Sequence, residues 1–201
     1  MFFDRCPKCS HQENFNTIVE KGSRAYLKCS NCGEEMLFNR QPLIVAIGPA
    51  GAGKRTLCMQ MARMTQEVVC LDCDMLTREK LLPGGQDQKD IWLTIAAGVA
   101  QSGRAPMLFA CGTAEDYLAL ENIKYFSPVY FIGICAQGPE IISRLRERQL
   151  GDNAAEYLSE MMRINNAVRT LPNVIDTSGK NGRTAAWELA TLTHKLLNAA
   201  E

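Results

Sequence analysis

Residues 43–56 join an apolar run to a glycine-rich turn, and they read Leu43-Ile44-Val45-Ala46-Ile47-Gly48-Pro49-Ala50-Gly51-Ala52-Gly53-Lys54-Arg55-Thr56. The apolar run predicts a buried strand, and the spacing of Leu57, Met61 and Met64 after the turn predicts a helix. Glycines let successive main-chain N–H groups point inward at an anion, and the following helix adds the positive end of its dipole. In the pattern G-x-x-x-x-G-K the lysine supplies a mobile positive charge for phosphates. The stretch therefore predicts a strand, a phosphate-binding loop from Gly48 to Thr56, and a helix.

Composition and charge are those of an ordinary globular protein. The chain has 201 residues, of which 46% are hydrophobic and 22% are charged, and its formal net charge is zero. A neutral chain gives no general reason to expect binding to nucleic acid or to an acidic membrane. There is no apolar run of about 18 residues and no signal-peptide layout at the start. Because five of the nine cysteines lie in apparent core segments, we expect a reducing compartment and a cytoplasmic protein without a membrane segment.

Two Cys-x-x-Cys pairs near the start of the chain have the spacing of a zinc site. Cys6 and Cys9 form the first pair, Cys29 and Cys32 form the second, and 19 residues separate the pairs. Four thiolates around one Zn²⁺ can stabilise a short polar segment that is unable to bury enough apolar area by itself. The segment resembles a zinc ribbon, which implies a structural Zn²⁺ held by all four cysteines.

The ribbon is expected to occupy residues 1–41 and to precede a larger domain at residues 42–201. Its basic residues outnumber its acidic residues by one, but a zinc ion with four thiolates adds a charge of about −2. A nearly neutral module is poorly suited to the phosphate backbone of a nucleic acid. The charge count favours a metal-stabilised platform for the second domain, a surface for a protein partner, or a surface for self-association.

Two aspartates follow the second apolar run of the larger domain. Residues 68–71 predict a buried strand, and Asp72 and Asp74 come at its end on the same face. In an open parallel sheet, ligands lie beyond the carboxyl ends of the strands. Two carboxylates there can hold the water around Mg²⁺ and accept a proton from an attacking hydroxyl. The alternative is that Asp74 caps a helix that begins near Met75.

Positively charged residues follow later in the chain. Arg144 and Arg148 are four apart on a predicted helix, so they share one face. Arginines can clamp the oxygens that gain charge in phosphoryl transfer, and a segment that closes over a substrate excludes water. The alternative is an ordinary solvated basic face. Lys89 and Trp92, on another predicted helix, either contact a phosphoryl acceptor or serve in packing and at the surface.

The loop resembles that of adenylate-kinase-like nucleotide kinases, with the pattern Gly48-x-x-Gly51-x-Gly53-Lys54-x-Thr56. The usual motif has Ser or Thr directly after the lysine as a magnesium ligand, whereas this chain has Arg55 there and Thr56 one position later. The Asp72-x-Asp74 pair resembles that of shikimate and gluconate kinases, which implies that Asp74 meets the acceptor hydroxyl and Asp72 lies near the metal. The later arginines resemble the lid arginines of small-molecule kinases. The implied catalytic residues are Lys54, Asp72, Asp74, Arg144 and Arg148.

The resemblance covers roughly residues 43–198 and implies an α/β fold of the P-loop nucleoside-triphosphate hydrolase type. It implies a five-stranded parallel sheet in the order 2-3-1-4-5, flanked by helices and preceded by the zinc-ribbon β module. The alternation of strands and helices itself predicts a parallel sheet with right-handed crossovers, but not that order.

The implied activity is transfer of the γ-phosphate of ATP, with Mg²⁺, to a hydroxyl or phosphate of a small molecule such as a nucleoside or nucleotide. The predicted third strand ends at Gly112 instead of a carboxylate, which favours a kinase over a motor ATPase. Two alternatives stay open. One is a nucleotide-binding regulatory module whose ribbon is an interaction surface. The other is a polynucleotide 5′-hydroxyl kinase, against which the charge of the ribbon argues.

Overall fold

The computed structural model describes residues 5–12, 17–22, 24–75, 86–147 and 154–199. In these ranges the chain forms two separate sheets. The first is a small antiparallel sheet in the order β1-β2-β3, with strands β1 (Thr17–Lys21), β2 (Arg24–Lys28) and β3 (Glu35–Phe38). The second contains the strands β4 (Leu43–Ile47), β5 (Val68–Asp72), β6 (Ala105–Ala110), β7 (Val129–Cys135) and β8 (Val174–Asp176).

The second sheet is parallel throughout and has the strand order β5-β6-β4-β7-β8. Counted along this part of the chain, that order is 2-3-1-4-5, so the predicted fold class is confirmed. The central strand is β4, and all of its residues are buried. An uninterrupted apolar strand of this kind is typical of a parallel sheet that is covered on both faces.

Helices cover both faces of the five-stranded sheet. They are α1 (Lys54–Met64), α2 (Gln86–Ala100), α3 (Ala114–Leu118), α4 (Gly138–Arg146), α5 (Ala154–Val168) and α6 (Gly182–Asn198), with a 3₁₀ helix at Glu121–Tyr125. Side chains of β4 alternate between two cores. Ile44 and Ala46 pack with α1 and α6, whereas Val45 and Ile47 pack in the core that contains residues of α2 to α5. Among the described helices, none has both the length and the apolar character needed to cross a membrane.

The small sheet is docked on the larger one through a shared core. Leu27 and Phe38 belong to the same buried cluster as residues of α2, and the rings of Phe38 and Tyr125 lie 5.7 Å apart, centroid to centroid. Gln101, which follows α2, accepts the N–H of Asn39 at 2.9 Å and donates to the carbonyl oxygen of Asn39 at 3.2 Å. The glutamine side chain therefore satisfies both main-chain groups of the residue that leaves β3.

A buried asparagine holds the main chain at the carboxyl end of β7. The side chain of Asn165 accepts the N–H of Ala136 at 3.3 Å and donates to the carbonyl oxygen of Ala136 at 3.0 Å. Both residues are buried, at 4% and 0% exposure. Because α5 carries Asn165, this pair fixes the helix to the strand end beside the glycine-rich loop.

The Asn165→Ala variant is expected to lower the free energy of unfolding by about 2–4 kcal/mol, because two main-chain groups of Ala136 lose their partners. Urea unfolding followed by circular dichroism measures the change. Asn166→Ala is the matched control, since the neighbouring asparagine is exposed, and it should shift the free energy by no more than about 0.5 kcal/mol. Equal effects of the two variants would contradict the role given to Asn165.

Candidate functional site

The glycine-rich loop lies at the carboxyl end of β4 and leads directly into α1. Gly51 and Gly53 have φ values of +85° and +91°, a backbone conformation that favours glycine. Gly48 is required for a different reason, because a Cβ there would lie 2.0 Å from the carbonyl oxygen of Ile134 in β7. The loop therefore lies tightly against the neighbouring strand, at the edge of the sheet where ligands of this architecture bind.

Lys54 is the first residue of α1, and its side chain folds back over the loop. The side chain is buried, with 7% of the residue exposed, and Nζ donates to the carbonyl oxygens of Gly48 and Pro49, both at 2.8 Å. The positive end of the helix and the ammonium group thus lie at the same loop. This combination attracts an anion.

Two side chains from later in the chain also hold carbonyl groups of the loop. The hydroxyl of Thr177 donates to the carbonyl oxygen of Ala52 at 3.0 Å and also reaches that of Cys135 at 3.1 Å. Arg144, on α4, donates from Nη1 to the carbonyl oxygen of Gly51 at 3.0 Å. These bonds fix the loop from the side of β7 and α4.

Arg144 is itself held by a carboxylate on the same helix. Its Nη2 donates to Glu140 at 2.7 Å, and the other oxygen of Glu140 accepts the N–H of Gly179 at 3.1 Å. Arg144 also borders a cavity of about 470 Å³. The cavity reaches from Gly51 and Thr56 to Lys180, which follows β8, so it extends outward from the loop.

Met161 makes an unusual contact with the loop. The main-chain N–H of Ala50 donates to the sulfur of Met161 at 3.2 Å, and Met161 is buried with 5% exposure. A thioether is a weak acceptor. An oxygen anion is a stronger acceptor than this sulfur. An anion at the loop can therefore replace Met161 as the partner of the Ala50 N–H.

The paired aspartates lie at the end of β5, where the sequence places them. One carboxylate oxygen of Asp72 accepts a hydrogen bond from Arg55 Nε at 3.0 Å. The other oxygen accepts a hydrogen bond from the N–H of Asp74 at 3.1 Å. Asp74 is exposed at the beginning of a helical turn. It is Asp72, not Asp74, whose carboxylate binds a main-chain N–H at this turn, and Arg55 links Asp72 to the first turn of α1.

A glycine two residues beyond the neighbouring strand β6 lies beside an ion pair. Gly112 has a φ of +132°, and a Cβ there would lie 2.5 Å from Asp116 Oδ2. Lys89 forms a salt bridge with Asp116 at 3.0 Å and lies over the ring of Tyr117 at 5.6 Å. Burial alone would raise the pKa of Asp116, but hydrogen bonds from the N–H of Thr113 and from Lys89 outweigh it, so the pKa is lowered. Lys89 thus pairs with a carboxylate close to the carboxyl edge of the sheet.

Trp92, the other candidate on this helix, has a packing role. It is buried with 3% exposure, and its indole N–H donates to the carbonyl oxygen of Cys73 at 3.0 Å. It therefore supports the strand end that carries the aspartates.

The structure brings some of the candidate residues together. The loop from Gly48 to Thr56, Lys54 and Arg144 share contacts, and Arg55 joins Asp72 to them. Arg148 lies outside the described residues, as does the helix expected from residue 76. Sequence patterns identify neither Thr177 nor Met161 as a site residue, because both lie far from the loop in sequence and no motif marks either one.

The four cysteines of the predicted zinc site form one cluster. Their sulfur atoms all lie within 4.8 Å of one another; Cys6 and Cys32 are 3.7 Å apart, and Cys9 and Cys29 are 3.8 Å apart. A tetrahedral zinc ion with Zn–S bonds of about 2.3 Å separates its sulfurs by about 3.8 Å. The donor set and its spacing fit a structural Zn²⁺.

The two Cys-x-x-Cys turns have the same main-chain geometry. The N–H groups of Ser10 and Gly33 donate to the carbonyl oxygens of Cys6 and Cys29 at 2.9 and 3.0 Å. Both donors have a positive φ, +56° for Ser10 and +71° for Gly33. Each turn needs a left-handed residue directly after its second cysteine, and the glycine at position 33 meets that need without strain.

Hydrogen bonds favour the thiolate form at one of these cysteines. Asn31 donates to the sulfur of Cys9 at 3.5 Å, and with the main-chain N–H of His11 it lowers the pKa of Cys9 to about 6. In contrast, burial raises the pKa of Cys58 to about 12 and that of Cys70 to about 11. Those two thiols stay protonated at neutral pH, as expected for residues of the core.

Comparison with known proteins supports the fold. No protein-family model and no curated protein matches the sequence. Among solved structures, a sugar kinase from a Janibacter species is 16% identical with a TM-score of 0.54, over 81% of this chain and 99% of that chain. Shikimate kinase from Acinetobacter baumannii is 18% identical with a TM-score of 0.53, over 79% and 96%. A gluconokinase from Sinorhizobium meliloti is 14% identical with a TM-score of 0.52, over 82% and 99%.

At these identities the matches establish the architecture and do not identify an acceptor. The larger sheet and its helices have the P-loop fold that these small-molecule kinases share, as the resemblance of the loop implied.

Gly48→Ala is expected to lower the free energy of unfolding by about 3 kcal/mol or more, because the new methyl group overlaps a main-chain oxygen of β7. Gly98→Ala is the control with the opposite sign. Gly98 lies inside α2, and a Cβ there would have no neighbouring atom within 4 Å, so alanine should stabilise the protein by about 0.5–1 kcal/mol. Thermal and urea unfolding of both variants measure the difference, and a tolerated Gly48→Ala would contradict the tight packing of the loop.

We expect about one zinc ion per chain after metal-replete expression, and Cys32→Ser should lose most of it, because a structural site needs four ligands. Atomic emission spectroscopy of the purified protein gives the ratio. Cys70→Ser is the matched control, since Cys70 lies in β5 outside the cluster, and it should keep its zinc. Full zinc content in Cys32→Ser would show that the cluster does not hold the ion.

Proposed function

We propose that this protein is an ATP-dependent phosphotransferase that transfers the γ-phosphate to a hydroxyl or phosphate of a small molecule. The observation that carries the proposal is the arrangement of the loop. Gly51 and Gly53 are left-handed, Lys54 is folded over the loop, and α1 begins there, at the carboxyl edge of a parallel sheet. This is the arrangement that binds the phosphates of a nucleotide.

Different residues around the loop are proposed to bind different parts of the nucleotide. The N–H groups of the loop and Lys54 bind the phosphates, while the cavity that Arg144, Thr177 and Lys180 border has room for the base and ribose. Its volume of about 470 Å³ is within the usual range for small-molecule sites. Arg144, with Arg148 beyond it, is proposed to contact the nucleotide or the phosphoryl group as the helix region closes.

Asp74 is the proposed group that orients the acceptor hydroxyl and takes its proton. Its carboxylate is exposed two residues beyond β5, whereas that of Asp72 is bound by Arg55 and by a main-chain N–H. Carboxylate oxygens are the ligands that Mg²⁺ prefers, so Asp72 and Asp74 are the described residues that would hold the ion or its water. The ion neutralises phosphate charge when it is bound.

Lys54→Met is expected to weaken ATP binding by at least about tenfold, because a charge-assisted contact to phosphate is lost. Isothermal titration of the zinc-loaded protein with ATP and magnesium measures the affinity.

Asp74→Asn should keep that affinity and lower the turnover number by a factor of about 10²–10⁴. ADP release in a screen of nucleosides, nucleotides, sugars and antibiotics identifies the acceptor.

The two variants separate the parts of the proposal. Absence of ATP and GTP binding by the folded wild-type protein would overturn it entirely. Equal turnover of an acceptor by wild type and Asp74→Asn would remove the role of Asp74 and leave nucleotide binding in place.

A nucleotide-binding regulatory module is the second candidate, and the contact between Arg55 and Asp72 favours it. Arg55 stands where the usual motif has a hydroxyl for magnesium, and its guanidinium already pairs with the carboxylate of Asp72 at the end of β5. Tight binding of ATP with no turnover across the screen would select this candidate. In either case we propose that residues 1–41 form the metal-stabilised module and residues 42–201 the nucleotide-binding domain.

A further inference from the structure

A second large cavity lies away from the glycine-rich loop, between the small sheet and the larger domain. It has a volume of about 830 Å³, and we call it the ribbon groove. Its floor is a row of cross-strand partners, Glu20, Ala25 and Phe38, which share one face of the small sheet. Gln41 and Gln101 also line the groove. A cavity of this size between two structural units is a usual place for a small ligand.

Arg40 lies at the junction of the ribbon groove with a neighbouring cavity of about 430 Å³, and it lines both. One end of its guanidinium, Nη1, forms an ion pair with Glu20. Its Nε is buried and has no hydrogen-bond partner among the described residues. A buried N–H without an acceptor is costly, so this nitrogen would gain from an acceptor that the described residues do not supply.

A second arginine gives the groove a positive charge. Arg24 is exposed at the rim, and it takes part in none of the ion pairs that the described part of the chain forms. Arg24 and Arg40 against Glu20 give the lining a net charge of +1. A lining that contains two arginines, Ala25 and Phe38 suits a ligand with an anionic oxygen group and an apolar body.

We propose that the ribbon groove binds a small organic oxyanion, with Arg24 and Arg40 as its charged contacts and Ala25 and Phe38 beneath its apolar part. Carboxylate and phosphate share the chemistry that two arginines recognise. Glu20 competes with the ligand for Arg40, so an oxyanion that binds Arg40 replaces an internal carboxylate. This site is independent of the glycine-rich loop and of the proposed phosphotransfer.

The experiment is isothermal titration of the full-length, zinc-loaded protein with citrate and, separately, with inorganic phosphate. Arg24→Gln and Arg40→Gln are each expected to weaken binding of the preferred probe about tenfold, because each removes a charge-assisted contact. Glu20→Gln should tighten binding several-fold, since the competing carboxylate is gone. Arg63→Gln, an exposed arginine on α1, is the matched control and should leave the affinity unchanged.

Lys54→Met distinguishes the ribbon groove from the loop. Binding that survives Lys54→Met and falls in the two arginine variants supports the proposal. Binding that is lost with Lys54→Met and kept in Arg24→Gln assigns the anion to the loop and overturns it. Absence of heat with both probes, or weaker binding in Glu20→Gln, also overturns it.

Discussion

The arrangement of the candidate site depends on hydrogen bonds that three side chains donate to carbonyl groups of the loop. Lys54, Arg144 and Thr177 donate to the carbonyl oxygens of Gly48, Pro49, Gly51 and Ala52. In a trans peptide the C=O of one residue and the N–H of the next point in opposite directions. Anchoring the oxygen of Ala52 on the protein side therefore turns the N–H group of Gly53 to the other side, whereas the N–H of Ala52 stays within the loop and donates to the carbonyl oxygen of Pro49 at 3.3 Å. The close approach of Gly48 to β7 makes this anchoring possible, because any side chain would push the loop away.

Local patterns predicted much of the fold, since they report how a short segment is buried. The uninterrupted apolar run of residues 43–47 indicated a strand covered on both faces, and β4 is such a strand. The glycine and lysine spacing indicated the loop, because left-handed positions and a helix start are local properties. The strand order came from the resemblance to known kinases. Periodicity could not supply it, because pairing partners such as β4 and β6 are far apart in the chain.

The contacts that complete the site come from distant parts of the chain and carry no local signal. Thr177 binds Ala52 across 125 positions of sequence, and Met161 binds Ala50 across 111. Docking of the small sheet is hidden for the same reason, since Gln101 pairs with Asn39 across 62 positions. The zinc cluster could be predicted more easily, because each Cys-x-x-Cys turn is a local pattern. A zinc ion needs four ligands, so two such turns are expected to come together around one ion.

Helix α2 connects two regions that the sequence alone leaves unrelated. Its fifteen residues span about 22 Å at 1.5 Å per residue. Gln101, just past its last turn, binds Asn39 directly after the small sheet, and Lys89, near its first turn, pairs with Asp116 of α3. One continuous helix thus connects the end of the small sheet to the carboxyl edge of the parallel sheet. If the small sheet changed its angle, the helix would move with it as a rigid unit, and the side chain of Lys89 at the other end would be displaced.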